Sequence, residues 1–362
     1  VRIAQVELVP YAIALREPIV TTFGAITRRR GAIIRLVVDG PAGGSGEEGL
    51  GDFSPHPAAS DQSIRLAWRA ASRAALDLRG ADVSRIDEVL RAARRLPPSA
   101  AMALDLALVD LKARIEGRRL CDTLGGARRD SVATSHLLGA DPESDARRAL
   151  DSGYTAMKLK ADGQVDTTVR RVREVLRVAP GVALRVDVNG AWSVRQALRA
   201  ASLLSGAVEW LEQPVAPEDV AGLACVRRAG HLKVAADESV TDVGSVEDLE
   251  RHGAADVVVI KLVQVGGWSR AIEVAAAARR AGMGVTVTTA IDSGLAAAAA
   301  LHLALALPEP MIACGVATGN CLTGDVVIDP VADGPRMAPP PGPGLGVRID
   351  RAALARFRTE HP

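Results

Sequence analysis

Ala156-Met157-Lys158-Leu159-Lys160, Ala183-Leu184-Arg185-Val186-Asp187-Val188 and Val257-Val258-Val259-Ile260-Lys261 follow one pattern, a short apolar run with a charged side chain at or next to its end. Runs of this kind, each followed by a helical stretch, predict buried parallel strands. Val132–Ser135, Val208–Glu212, Lys233–Ala236, Val285–Thr289 and Met311–Cys314 fit the same pattern. Eight strands alternating with helices in about 200 residues close most economically into a (β/α)8-type TIM barrel. An open doubly wound sheet is the competitor, but no GxGxxG follows a strand here.

The charged ends recur with a regular step. Lys160 to Asp187 is 27 residues, Asp187 to Glu212 is 25, Glu212 to Asp237 is 25 and Asp237 to Lys261 is 24. One β/α unit has that length, so the five side chains fall at the same end of successive strands. Barrel active sites lie at the C-terminal end. A single Asp there would serve as a helix cap; three acids in phase with flanking lysines are poorly explained by capping. Three carboxylates without His or Cys form a hard oxygen site, suited to Mg²⁺ or its substitute Mn²⁺ rather than zinc. The alternative is a salt-bridge network with Lys160 and Lys261. A metal held there stabilises the charge that develops on a substrate carboxylate as its α-proton leaves. Lysines beside it can act as base and conjugate acid. Lys158 shares a strand face with Lys160, placed to depress the Lys160 pKa or to touch substrate.

Outward from the barrel, Ile3–Val9 and Gly31–Val38 are β-rich, joined by a turn-containing segment, Pro18–Arg30. Pro41–Gly51 reads as a flexible turn region, and Asp61–Glu116 has helical spacing. The expected organisation is an α+β domain over residues 1–125, the barrel over 126–325, and a Pro/Gly-rich tail over 326–362 returning to the first domain. Lys+Arg (44) and Asp+Glu (43) nearly cancel, so no global field favours nucleic acid or an acidic membrane. The most apolar stretch, Gly294 to Leu307, is about 14 residues and too short to span a bilayer. No signal peptide is visible, and four cysteines without CxxC spacing read as reduced thiols, so a cytoplasmic protein is expected.

The motifs Lys158-Leu159-Lys160, Asp187-Val188-Asn189, Glu212-Gln213-Pro214, Asp237-Glu238-Ser239 and Ile260-Lys261 together resemble the enolase superfamily, in its muconate-lactonizing subgroup. A lysine or histidine base with magnesium is that superfamily's known pattern. The resemblance implies a modified (β/α)7β barrel with an N-terminal α+β capping domain, Mg²⁺ on Asp187, Glu212 and Asp237, and Lys160 and Lys261 flanking the α-carbon. It implies a small carboxylate substrate and an enediolate, with no nucleic-acid or membrane partner; a homo-oligomer is compatible with it. Mandelate-racemase-like members use a seventh-strand His, whereas here that strand ends Thr288-Thr289-Ala290-Ile291-Asp292. Within the subgroup, the loop Gly51-Asp52-Phe53-Ser54-Pro55-His56-Pro57, the segment Arg185–Trp192 and Ala313–Gly319 look most like o-succinylbenzoate synthases. Racemisation of N-succinylamino acids or epimerisation of dipeptides is the alternative, and muconate-type cycloisomerisation the third.

Substrate contacts are expected from Lys158, Asn189, Ser135 at the end of strand 1, Asp292 at the end of strand 7, and Phe23 in a lid-like loop. The bland readings are packing for Phe23, a helix cap for Asp292 and helix packing for Trp268. Arg28, Arg29 and Arg30 either meet a second carboxylate or form a solvated face. The six histidines show no ligand spacing and most read as solvated or structural; a zinc hydrolase would need His ligands at strand ends, which are absent. Gly43-Gly44-Ser45-Gly46 lacks a following GK[ST], which excludes a phosphate-cradling loop. A catalytically dead barrel would require a broken metal or lysine position, and none is broken.

Overall fold

The computed structural model describes the chain except residues 22–23, 41–44, 58, 162 and 309. Its N-terminal unit is an antiparallel sheet of β1 (Ile3–Thr21), β2 (Gly24–Asp39) and β3 (Ser45–Phe53), in that order. Helices α1 (Asp61–Leu76), α2 (Ile86–Ala93) and α3 (Pro98–Ile115) cover one face. Ile34, Leu36, Ile64, Leu104, Leu108 and Leu111 belong to the core between them. α3 is buried nearly all round because Met102 and Leu106, on its other side, belong to the barrel core.

The N-terminal strands run further than expected. Most of the turn-containing segment Pro18–Arg30 is strand, with β1 and β2 pairing as far as Thr21 and Gly24 and only residues 22–23 between them. Of the expected flexible stretch Pro41–Gly51, residues 41–44 lie outside the described residues and the rest belongs to strand β3. Its glycines serve close packing rather than flexibility. A Cβ on Gly49 would stand 2.1 Å from the Ala107 carbonyl oxygen, and one on Gly51 1.9 Å from that of Ala103. α3 therefore rests directly on the β3 backbone.

The second sheet is parallel and seven-stranded: β5 (Ser135–Leu137), β6 (Ala156–Lys160), β7 (Ala183–Asp187), β8 (Trp210–Glu212), β9 (Lys233–Ala236), β10 (Val257–Lys261) and β11 (Gly284–Thr288), each beside its sequence neighbour. Helices α4 (Pro142–Asp151), α5 (Val165–Val178), α6 (Val194–Leu203), α7 (Val220–Arg228) and α8 (Val243–His252) alternate with the strands. The short α9 (Leu262–Val265) and then α10 (Trp268–Arg280) and α11 (Gly294–Ala306) complete the outer layer. No helix among the described residues is long and apolar enough to cross a membrane. Trp268 is buried in the barrel core, in line with its helix-packing reading, and Trp192 is buried there too.

The expected eighth strand, Met311–Cys314, is not a regular strand. Cys314 bridges Thr134 and Gly315 bridges Thr288, so the segment joins the two sheet edges at single points. Side chains explain the missing ladder: the Ala313 carbonyl accepts from Thr286 Oγ1 at 3.0 Å and Arg185 Nη1 at 2.7 Å. The two-residue β4 (Val132–Ala133) pairs with β12 (Arg336–Met337) of the C-terminal segment. Farther on, the Leu345 N–H donates to Asp110 of α3 at 2.7 Å, and α12 (Arg351–Phe357) precedes a bridge from Arg358 to Tyr11 of β1.

Candidate active site

Strand register aligns the charged ends. Lys160 pairs with Asp187, and Asp187 with Glu212, across three adjacent strands. Alternation puts the residue two positions earlier on the same interior face. Arg185, Trp210, Ala235 and Val259 thus lie one layer beneath Asp187, Glu212, Asp237 and Lys261, and the last three pack together as an apolar floor. The polar layer sits on that floor.

Carboxylate oxygens of Asp187, Glu212 and Asp237 lie within 4.8 Å of one another, and all three side chains are buried. Lys158 Nζ is 2.6 Å from Glu212 Oε1 and 2.7 Å from Asp187 Oδ2. Lys160 Nζ donates to Asp187 Oδ2 at 2.6 Å and to Asn189 Oδ1 at 2.8 Å. Lys261 Nζ meets Asp237 Oδ2 at 2.5 Å, while Asp237 Oδ1 is buried without a hydrogen-bond partner. The donor set, all carboxylate oxygen with an unpartnered buried atom, fits a hard divalent cation.

The backbone after two strands is strained to make this array. Asn189 and Gln213 have φ of 46° and 38°. The Asn189 N–H donates to Asp187 Oδ1 at 3.0 Å, and Asn189 Nδ2 donates to Glu238 Oε1 at 2.7 Å. Gln213 Oε1 accepts the Asp237 N–H at 3.0 Å, tying the second carboxylate strand to the third. Non-glycine residues hold such angles only where surrounding bonds dictate them.

Electrostatics divide the cluster. Burial pushes the Glu212 and Asp237 carboxyls up, whereas Lys158, Lys160 and Lys261 outweigh burial at Asp187 and hold it well below the usual range. Burial opposes charge on Lys158, but Asp187, Glu212 and Asp237 overcome it and raise its pKa well above normal. The same contest, won chiefly by Asp237, raises Lys261. Lys158, placed by the sequence either to depress the Lys160 pKa or to touch substrate, is ion-paired with Asp187 and Glu212 and lines the cavity beside Lys160.

A cavity of about 90 Å³ covers this layer. Ser135, Lys158, Lys160, Asn189 and Lys261 line it from the barrel, as do Thr288, Thr289 and Ile291. Ile19, Ile26, His56 and Pro57 close it from the N-terminal unit. A second cavity of about 450 Å³ shares Ile19, Leu137 and Lys160 with the first and reaches Arg16 and Arg171. Phe23 lies outside the described residues. Asp292 is buried, and its carboxylate is engaged by Arg29 and Ser54, whereas Lys261 bonds Asp237.

Two residues escaped the sequence reading. Arg29, inside the arginine run, is 1% exposed rather than part of a solvated face. His56 lines the cavity rather than facing solvent; burial, then the charges of Lys261 and Arg29, lower its pKa to about 4. Two-residue alternation along β2 is the only signal that could have singled out Arg29 from its neighbours.

Residues 142–353 match the family described as Enolase C-terminal domain-like. The N-succinyl-L-Arg/Lys racemase of Bacillus cereus is 26% identical over 98% of this chain and 97% of its own. The o-succinylbenzoate synthase of Thermobifida fusca is 40% identical over 56% of this chain and 64% of its own. The muconate lactonizing enzyme of Pseudomonas fluorescens, solved with muconolactone, superposes with a TM-score of 0.90 at 26% identity, covering 99% of both chains. The strand-end carboxylates, the alternating sheet and these likenesses agree: the chain belongs to the enolase superfamily, in its muconate-lactonizing subgroup.

Proposed function

We propose that the protein moves a proton at the carbon next to a substrate carboxylate, racemising an N-acylated amino acid with Lys160 and Lys261 as the two acid–base groups. The observation that carries this reading is one cavity lined by both lysines, with a larger cavity opening beside Lys160 toward Arg16 and Arg171. A compact substrate would not use that second space; an acyl tail ending in a carboxylate would. Full-length similarity to the Bacillus cereus racemase supports the same choice.

Asp187, Glu212 and Asp237 would hold Mg²⁺, with Mn²⁺ as substitute. When bound, the cation supplies Lewis-acid neutralisation of the substrate carboxylate. Lys160 Nζ takes the α-proton from one face, and Lys261 Nζ delivers one to the other. Asn189 orients Lys160 through its 2.8 Å contact and is itself held by Glu238. Lys158 stays charged and completes the positive lining. Ser135, expected to end the first strand, is instead the first residue of β5; it lines the same cavity and would meet bound substrate there. Ile19, Ile26 and Pro57 keep water from the reacting carbon.

A second reading, syn-dehydration to o-succinylbenzoate, is favoured by the 40% identity to the Thermobifida fusca synthase. There Lys160 removes the proton and returns it to the departing hydroxyl, while Lys261 acts by charge alone. Two assays with Mg²⁺ separate the readings. N-succinyl-L-arginine and pooled dipeptides in D₂O report α-deuteration by mass spectrometry and inversion by polarimetry. The cyclohexadiene carboxylate precursor of o-succinylbenzoate reports dehydration by ultraviolet absorbance. Deuteration with inversion supports racemisation, dehydration without it selects the synthase, and neither with Mg²⁺ or Mn²⁺ overturns both.

A further inference from the structure

Ile291 has a φ of 62°, the left-handed region, which a β-branched side chain very rarely adopts. It is 7% exposed and forms part of the cavity wall. The next residue spans it: Asp292 Oδ2 accepts the Ala290 N–H at 3.0 Å, closing a ring around Ile291. The other oxygen, Oδ1, accepts from Arg29 Nη2 at 2.8 Å and from Ser54 Oγ at 3.0 Å. The same guanidinium donates to the Pro55 carbonyl and the Ser54 hydroxyl. Those residues lead directly into His56 and Pro57, which form the facing wall.

We propose that Arg29 and Asp292 are positioning residues whose ion pair sets the cavity's shape by holding Ile291 left-handed and the loop 54–57 against it. One planar fork grips both walls at once, which a lysine cannot do. A parallel contact braces it: Ser293 Oγ donates to Asp52 Oδ2 at 2.7 Å, and Tyr11 OH to Asp52 Oδ1 at 2.9 Å. Burial of Arg29 and Asp292 makes the pair insensitive to salt and intolerant of a missing partner. The proposal rests on reading this cavity as the substrate site.

Hydrogen exchange by mass spectrometry on the full chain with Mg²⁺ tests it without a substrate. Arg29→Met and Asp292→Ala should speed exchange about tenfold in residues 52–57 and 286–293 together, with the rest of the barrel unchanged. Arg29→Lys keeps the charge opposite Asp292 and decides the matter if Arg29→Met does not fold; it should loosen residues 52–57 alone. Wild-type exchange in both segments of Arg29→Lys and Asp292→Ala, or a uniform rise across the chain, overturns the proposal. A second arm uses N-succinyl-L-arginine: Arg29→Lys should raise KM about tenfold with kcat within about threefold, as expected for lost positioning rather than lost chemistry. If wild-type protein does not act on that compound, the functional reading fails there and the exchange arm still decides the proposal.

Discussion

The Arg185 guanidinium lies over the Trp210 ring, 4.1 Å from its centroid, one layer beneath Asp187 and Glu212. Arg185 also pairs with Glu209 at 2.8 Å and holds the Ala313 carbonyl, so one buried side chain supports the polar layer and the closing segment. Arg185→Met keeps the length but removes the ion pair, the carbonyl bond and the stacking charge. It should cost roughly 2–4 kcal/mol. Urea unfolding of variant and wild type gives the value; a loss under about 0.5 kcal/mol would mean the layer does not depend on it.

Mg²⁺ should stabilise the fold through the three carboxylates. At about a hundred times its Kd, a ligand that binds only the native state adds about 2.7 kcal/mol. Melting curves with and without Mg²⁺ should show this for wild type and lose it for Glu212→Gln. Glu212 is the informative position because its removal leaves Lys158 still paired with Asp187. Chelator should remove both the added stability and turnover, and either Mg²⁺ or Mn²⁺ should restore them.

The two lysines should fail differently. If the substrate is racemised, Lys160→Ala and Lys261→Ala each abolish inversion, yet each keeps α-proton exchange in one enantiomer. Losses of about 10²–10⁴ in turnover are expected for a missing acid–base group. Deuterium incorporation into separate D and L substrates measures this. Equal exchange from both enantiomers in either variant contradicts the assignment.

Gly51→Ala should disrupt the N-terminal unit. The added methyl meets the Ala103 carbonyl oxygen at 1.9 Å, a backbone atom of α3 that cannot rotate away. Overpacking of this kind costs about 1–3 kcal/mol, at the upper end where no side chain can give way. Calorimetric melting checks it; an unchanged melting temperature would place α3 farther from β3.

His302 gives stability a pH dependence. Its ring is fully buried in α11, with Nδ1 3.4 Å from the Cys121 backbone N–H and Nε2 3.2 Å from the Leu345 carbonyl. Burial, against that carbonyl bond, lowers its pKa to about 4. The fold requires the neutral ring, while the unfolded chain takes a proton below about pH 6.5. The contribution is therefore complete above pH 6.5 and lost as pH falls to 4, roughly 3 kcal/mol in all. His302→Gln keeps a donor and an acceptor without titrating in this range. It should be less stable at pH 7.5 yet lose less than wild type between pH 7.5 and 4.5 in urea titrations.

The barrel was legible because β/α spacing is a local property. Steps from Lys160 to Lys261 put the polar ends in phase, and buried strands read as apolar runs. The length of the N-terminal hairpin was not legible: Pro18, Gly24 and three consecutive arginines interrupt Pro18–Arg30, and its pairing comes from a partner strand rather than from composition. Arg29 was hidden for a different reason. Its partner Asp292 is 263 residues away, and no window on the chain brings them together. His56 likewise becomes a cavity residue only when the N-terminal unit meets the barrel mouth. The Ala313 carbonyl explains the eighth strand, since an apolar run alone does not reveal that side chains have claimed its ladder.

The barrel circle is fastened by a clasp rather than a full seam. Six neighbouring strand pairs resist shear through continuous ladders, but the segment around Cys314 holds each edge by a single bridge. Elastic deformation concentrates at the least stiff link of a ring, and the link with the fewest backbone pairings here is this segment. Gly315, Thr288 and Thr318 lie at that link and also form part of the cavity wall. That link stands on the side of the cavity opposite the Asp187, Glu212 and Asp237 carboxylates, so play there would leave the carboxylate cluster least disturbed.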